Sequence, residues 1–534
     1  MKLMKVLFVA AIVVAIAAPT FAAVQNIKVS GSIEEQAIYM SNFDLASKSE
    51  ESTARRFSPV VDPGQMTGSG NSINEDSESF VLQTIKVGVD SDLTDNVSAS
   101  IVLSNQAKWG DNLIARDAVS VNKAFVTLKE FFYQPLTLKI GRQDLRFGNG
   151  FIVGPGIYRD PQGTFALPGV DLAPDRFNLG GGNNFYFPGG ANGLQFSDAT
   201  YYDAIRATLD LDPWTVDAIY SKISQSGTAR VDEELAGANV AYKFDQYNAK
   251  AEAYYFFKYN PGLNDDMGLI DPVDYLATGG AFGGFILDQS VPGVGARVYE
   301  KEETHVFGMR GDIDPIENLV LSGEGALQWG QLKDSEGPWG KGTDNGSINR
   351  GKLAWAINAY GNYTWKEVAY KPNLGLGVEI LSGQNAGNSG KWTAWDPMFR
   401  GNSLSMIRGY MAGQQAAFNN VGGNIYQTLD MKDPSGSTDA ITMYIDGGLK
   451  PMDDLSIKAR WLHFWTEKKP VDGRSRNLGD EVDTTILYDY TEDVQFDLTG
   501  AVFVPETFYD NNSDGFTKST TPAVIVTGGV KVTF

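Results

Sequence analysis

From Val24 to Phe534 the chain repeats one design, segments of about ten residues in which apolar and polar positions alternate. Val482, Thr484, Ile486, Tyr488 and Tyr490 alternate with Glu481, Asp483, Thr485 and Asp489. Val494, Phe496, Leu498 and Val502 alternate with Gln495, Asp497 and Thr499, and Val524, Val526, Val530, Val532 and Phe534 with Thr527, Lys531 and Thr533. A period of two is that of a strand with one apolar and one polar face. About ten residues is the length at which a tilted strand crosses a bilayer. The pattern predicts strands near 25–40, 79–90, 96–108, 119–131, 135–147, 201–210, 214–224, 236–244 and 247–259. It predicts nine more near 304–314, 318–331, 353–366, 372–383, 438–450, 455–466, 480–490, 493–504 and 523–534, making eighteen.

The connections sharpen this into an architecture. Short turns fall at Asp90 to Asn96, Phe132 to Pro135, Asp210 to Pro213, Asp245 to Tyr247, Asp314 to Asn318, Lys366 to Lys371, Pro451 to Asp454 and Thr491 to Asp493. Between them lie long, irregular stretches, notably 41–78, 148–200, 260–303, 332–352, 384–437 and 505–522. Strict alternation of short and long is what an antiparallel transmembrane barrel requires, with short periplasmic turns and long extracellular loops. The expected fold is therefore all-β, a single transmembrane antiparallel β-barrel of about eighteen strands over 24–534. Such a sheet must close, because lipid offers no partner to an unpaired edge. At this width strand side chains cannot fill the interior, so water does, and loops must narrow it if passage is selective. The loop 148–200, rich in Gly, Pro and aromatics, is a candidate constriction.

The N-terminus gives the address. Lys2 and Lys5, an apolar run from Val6 to Ala18 and the Pro19-Thr20-Phe21-Ala22-Ala23 stretch read as a secretory signal peptide over 1–23. The apolar run is shorter than the ~20 residues that a helical span needs. With the barrel this places the chain in the cell outer membrane. The final strand ends on Phe534, the kind of ending that barrel-assembly machinery engages. Outer-membrane lipid and glycolipid are the other expected contacts, the acidic loop residues being candidates for cation bridges to glycolipid.

Composition alone is neutral: 42% hydrophobic residues and a mean hydropathy of -0.22 suit a soluble protein as well as a barrel whose alternate residues meet lipid. It does exclude classes. There is no cysteine, hence no disulfide framework and no thiolate metal site. A net charge of -21 repels nucleic acid. The two imidazoles, His305 and His463, fall in different strands, so no nucleophile–base pair is defensible and an enzyme is not expected. His463 shares its phase with Trp461 and Trp465, as in an interfacial aromatic belt.

Two stretches resemble a known family. Leu138-Lys139-Ile140-Gly141-Arg142-Gln143-Asp144-Leu145-Arg146-Phe147-Gly148 resembles the motif GRQ-x-L-x-(Y/F)-G of the alginate-export family of outer-membrane barrels. Leu478-Gly479-Asp480-Glu481-Val482-Asp483, followed by Tyr488 and Val502-Phe503-Val504-Pro505, resembles that family's penultimate hairpin. The resemblance implies eighteen strands and a passive, substrate-guiding pore. In alginate export proper an arginine-rich lumen attracts a polyanion. Arg142 and Arg146 stand at the motif's positions, whereas the strongly acidic chain points away from alginate itself.

The candidate pore-lining residues are Lys86, Lys139, Arg142, Arg146, Arg310, Lys458, Arg460, Glu481 and Asp483. Rings of charge set ion preference in pores, and the basic group Arg142, Arg146, Lys458 and Arg460 is the expected selectivity element. The plainer reading is mixed charge that merely avoids lipid. Arg142 shares its phase with Leu138 and Ile140, so it needs a bulge, or a place above the lipid band, to meet water. Asp510, Asn512 and Asp514 match the start of a calcium loop, but its twelfth position is Thr521 where a Glu belongs, and an Asx-rich turn explains them equally. No other cofactor is expected. The expected function is charge-guided diffusion of small polar solutes (anions, sugars or oligosaccharides). A surface-structural or adhesin barrel with a plugged lumen is the alternative.

Overall fold

A computed structural model describes residues 26–41, 77–110, 119–154, 202–225, 232–260, 299–335, 347–383, 391–396, 398–399, 404–407, 439–469, 475–510 and 521–534. Residues 1–23, read from sequence as a signal peptide, lie outside these residues with Asn512 and Asp514, as does the side chain of Asp510. The strands are β1 Asn26–Ser41, β2 Ser77–Thr94, β3 Val97–Lys108, β4 Ser120–Leu128, β5 Leu136–Gln143 and β6 Tyr202–Leu211. They continue with β7 Trp214–Gln225, β8 Asp232–Phe244, β9 Ala249–Asn260, β10 Tyr299–Ile316, β11 Leu319–Ser335, β12 Ser347–Thr364 and β13 Asn373–Leu381. The two-residue β14 Lys391–Trp392 lies parallel to β12, and β15 Ala440–Met452, β16 Leu455–Thr466, β17 Asn477–Asp489, β18 Val494–Pro505 and β19 Ala523–Thr533 complete the set.

Without β14, eighteen strands form one antiparallel ring in chain order. β1 closes it on β19 through Ser32–Thr533 to Ser41–Val524. The terminal residue seals the seam: Gly31 N–H donates to the Phe534 carbonyl at 2.8 Å, and Phe534 N–H to the Gly31 carbonyl at 3.0 Å. The expected barrel and strand count hold, and every short turn stays short. Asn248 and Asn318 turn two of them at φ 44° and 71°, a conformation that an Asn side chain tolerates.

Alternation sorts the side chains as lipid demands. Val87, Val89, Ile101, Leu327, Leu353, Leu376, Met443 and Leu498 face out and are exposed, while their sequence neighbours face the lumen. His305 stacks on Trp329 with ring centroids 5.5 Å apart, and His463 lies between Trp461 and Trp465 with Nδ1 2.8 Å from Asp480. Both imidazoles thus belong to the outer aromatic belt. The main departure is β5, which ends at Gln143 rather than near residue 147. There the chain leaves the wall and turns into the lumen.

Candidate functional site: the narrowed lumen

Among the described residues, stretches of two connections fold into the barrel. Residues 144–154 bring Leu145, Phe147, Phe151, Ile152 and Val153 against Tyr202, Ile223, Leu235, Tyr254 and Phe256 of the inner wall. Trp395, Met398 and Phe399 join the same cluster, with Trp395 1% exposed. The two segments are tied by a parallel bridge between Val153 and Phe399, in which Phe399 N–H donates to the Ile152 carbonyl at 3.0 Å and Gly154 N–H to the Phe399 carbonyl at 2.9 Å. Farther round, Leu404, Met406 and Ile407 pack on Tyr444, Leu462, Phe464 and Phe503. The barrel's apolar core therefore lies inside the lumen, where loop meets wall. The expectation that the 148–200 loop enters the lumen holds for its described part, and part of the 384–437 loop joins it.

Backbone drawn into a wall needs partners for its N–H groups, and inward carboxylates supply them. Glu252 accepts Gly148 N–H at 3.1 Å, and Glu324 accepts Asn149 N–H at 3.0 Å and the Tyr254 hydroxyl at 2.7 Å. Gly148 is at φ 57°, and a Cβ there would lie 2.5 Å from the Glu324 carboxylate, so turn and anchor together require glycine. Glu481 accepts the Ser405 hydroxyl at 2.7 Å, Met406 N–H at 2.7 Å and Ile407 N–H at 2.8 Å. Gln328 reads the backbone of Asp396 both ways, donating to its carbonyl at 2.6 Å and accepting its N–H at 2.9 Å. The Asp396 carboxylate belongs to a buried cluster of four charges. Lys352 Nζ lies 2.9 Å from Asp396 and 3.1 Å from Glu302, and Lys258 Nζ lies 3.2 Å and 3.4 Å from the same two. Among the described residues two cations stand against two carboxylates, which is how charge survives burial.

The remaining inward wall carries paired charge. Arg206 meets Asp217 at 2.8 Å, Arg310 meets Asp312 at 2.8 Å, Arg460 meets Asp446 at 3.5 Å and Lys531 meets Glu34 at 3.7 Å, and Lys250 pairs with Glu252.

The expected pore-lining residues divide. Lys86, Lys139, Arg310, Lys458, Arg460, Glu481 and Asp483 occupy inward positions. Lys139 lies 3.7 Å from the Phe125 ring centre. Arg460 Nη1 donates to the Leu404 carbonyl at 3.0 Å, and its guanidinium lies over Tyr444. Glu481 is fully buried and anchors a loop instead of facing the passage. Arg146 is not on the wall: it sits in the inserted turn, donating to the Asn149 carbonyl at 3.3 Å. Arg142 faces outward, on the side opposite the buried Gln143. Its Nε and Nη2 grip the Asp203 carboxylate at 2.9 and 3.0 Å. The strand keeps its alternation through Arg142, so the phase read from sequence is right and the lumen assignment is wrong. The four-residue basic cluster is accordingly not assembled.

Sequence reasoning misses the charge cluster for identifiable reasons. Lys352 lies one residue before a predicted strand, so alternation assigns it no face, and Asp396 stands in a loop. Lys258, at the tip of a predicted strand, alternates with outward Phe257 and Tyr259, and is the one available signal.

At the extracellular rim Asp439 precedes β15 and accepts Lys468 N–H at 2.7 Å. Burial pushes its carboxyl up to about 7, with Glu467 adding to the rise and the Lys468 N–H and ammonium opposing it. A raised value favours the neutral form in the folded state. Rim stability is therefore fully present near pH 4, declines as pH rises toward 7 and stays low above it. Hydrogen exchange at the Lys468 amide, corrected for intrinsic rate, is expected to show more protection at pH 6 than at pH 8. Asp439→Asn is expected to abolish that difference.

Among solved structures, Pseudomonas aeruginosa OccK1 (OpdK) shares 10% identity at a TM-score of 0.47, over 96% of this chain and 99% of its own. Pseudomonas aeruginosa OccK2 (OpdF), solved in complex with glucuronate, shares 10% identity at a TM-score of 0.46, over 96% and 98%. No curated protein matches the chain by sequence. The model of the family described as "Alginate export" matches residues 195–520, more than half of the chain. The chain belongs to the alginate export family, and its closed eighteen-strand barrel is an outer-membrane channel.

Proposed function

We propose that the channel passes small polar solutes (sugars, short oligosaccharides and small organic anions) by passive, charge-guided diffusion. The carrying observation is the lumen itself: a barrel narrowed by inserted segments, with cations and carboxylates set side by side on the remaining wall. Paired charges present donors and acceptors within a few ångström of each other, which suits hydroxyl-bearing solutes and lone anionic groups. Proteoliposome swelling tests this reading. Monosaccharides are expected to enter fastest, disaccharides more slowly and tetrasaccharides hardly at all. Swelling that is independent of sugar size overturns a narrowed, solute-guiding lumen. Absence of swelling with every sugar and small ion favours a plugged, surface-structural barrel.

A further inference from the structure

The lipid-facing wall carries a dent of about 450 Å³ low on β8 to β11. Its lining includes Phe244, Ala251, Gly311, Ile313, Leu321 and Gly323. These are outward positions, and Phe244, Ile313 and Leu321 are exposed there. Lys250, Asp312 and Ser322 also border the dent, but Lys250 pairs with Glu252 and Asp312 with Arg310 on the lumen side. The face open to lipid is therefore apolar.

Its floor is bare backbone. Gly311 is directly paired with Gly323 on one side and with Ala251 on the other. A Cβ on Gly311 would meet nothing within 4 Å, and one on Gly323 only the Asn358 carbonyl at 4.0 Å. Neither glycine has a positive φ, so neither crowding nor backbone conformation requires one here. Glycine inside a strand weakens it and marks a bulge, a bend or a close approach from outside. The β10–β11 ladder runs without a register shift from Glu302 to Ile313, which leaves the close approach.

Depth and charge identify what approaches. Counted from the periplasmic ends, Ile313 is fourth and Gly311 sixth in β10, Leu321 is third and Gly323 fifth in β11, and Phe244 ends β8. A span takes ~9–11 residues, so the dent lies in the periplasmic leaflet and opens toward its headgroups. The two turns beneath it are tied together, Asp314 N–H donating to the Asn248 carbonyl at 3.1 Å. They read Asp245-Gln246-Tyr247-Asn248 and Asp314-Pro315-Ile316-Glu317-Asn318, with three carboxylates, no lysine or arginine, and Tyr247 exposed. Carboxylates and an aromatic face attract an ammonium group and disfavour a headgroup that is only anionic.

We infer that the dent seats one acyl chain of a phospholipid whose headgroup carries a primary amine. The chain lies across Gly311 and Gly323, and the ammonium meets the carboxylates of the two turns.

Native mass spectrometry of the intact barrel tests this, with equal amounts of phosphatidylethanolamine and phosphatidylglycerol of identical chains offered in mild detergent. The parent is expected to retain one phosphatidylethanolamine per barrel, preferred about fivefold over phosphatidylglycerol. Gly311→Ile puts a side chain into the dent and should lower retention about tenfold. Gly528→Ile, at an outward position of β19, should leave retention unchanged. Asp245→Asn combined with Glu317→Gln should remove most of the headgroup preference. Each variant is first checked for the folded barrel's electrophoretic mobility. If Gly311→Ile does not fold, the turn variant decides. Retention that survives Gly311→Ile overturns the inference, as does a turn variant that keeps the full preference. So does a parent that holds no lipid, or holds both headgroups alike.

Discussion

Replacement of Lys352 by Met is expected to release the segment carrying Asp396 and to raise single-channel conductance. Lys352 is 4% exposed and touches both carboxylates of the buried cluster. Its removal leaves Glu302 and Asp396 sharing Lys258. Breaking a buried ion pair by deleting one partner costs about 3–5 kcal/mol, because the remaining charge stays buried. The barrel ring, held by ladder hydrogen bonds on every strand, is not at stake. The inserted segment is, because holding it in place costs about 1–2 kcal/mol of backbone entropy per residue. Channel recordings should show larger, noisier openings, and protease should cut near residues 391–399 in an otherwise folded barrel. Adding Asp396→Asn leaves Lys258 balanced against Glu302, so the double variant is expected to recover much of the parent conductance. If the single variant conducts like the parent and resists protease, the cluster does not hold the segment.

Glu481→Ala is expected to free the other inserted segment. One buried carboxylate holds the Ser405 hydroxyl and two backbone N–H groups. Hydrogen bonds to a charged group are worth about 1.5–3 kcal/mol each, and the alanine leaves buried donors without an acceptor. The expected loss is local, about 3–5 kcal/mol if the three bonds are partly redundant. Hydrogen exchange at the Met406 and Ile407 amides should speed up by two to three orders of magnitude, while amides of β17 and β18 stay protected. Unchanged exchange at those two amides contradicts the anchoring role.

How far each feature is legible in the sequence depends on what fixes it. The ring of strands is dictated by lipid, which forces a period of two and short turns on one side. Val482, Thr484 and Ile486 therefore announce β17 from sequence alone, and the strand count comes with it. The lumen obeys no such rule. Arg142 carries the motif that suggests a pore, yet its alternation with Gln143 places it outside, and phase is the better guide. The predicted β5 runs four residues past its true end at Gln143 because Leu145 and Phe147 alternate with polar neighbours as a strand does, though in the phase opposite to Leu138 and Ile140, and they serve instead a loop packed inside the barrel. Glu481 and Asp483 face inward as expected. That Glu481 holds Met406, 75 residues earlier in the chain, and not a solute depends on tertiary contact that no local pattern records.

On this reading the lumen is open but narrowed. Single-channel recording of the purified protein in a planar bilayer tests it most directly, with the Lys352→Met variant measured beside it. The expected result is small, stable openings for the parent and clearly larger ones for the variant. A parent that conducts as freely as the variant, or a membrane that stays silent for both, contradicts it.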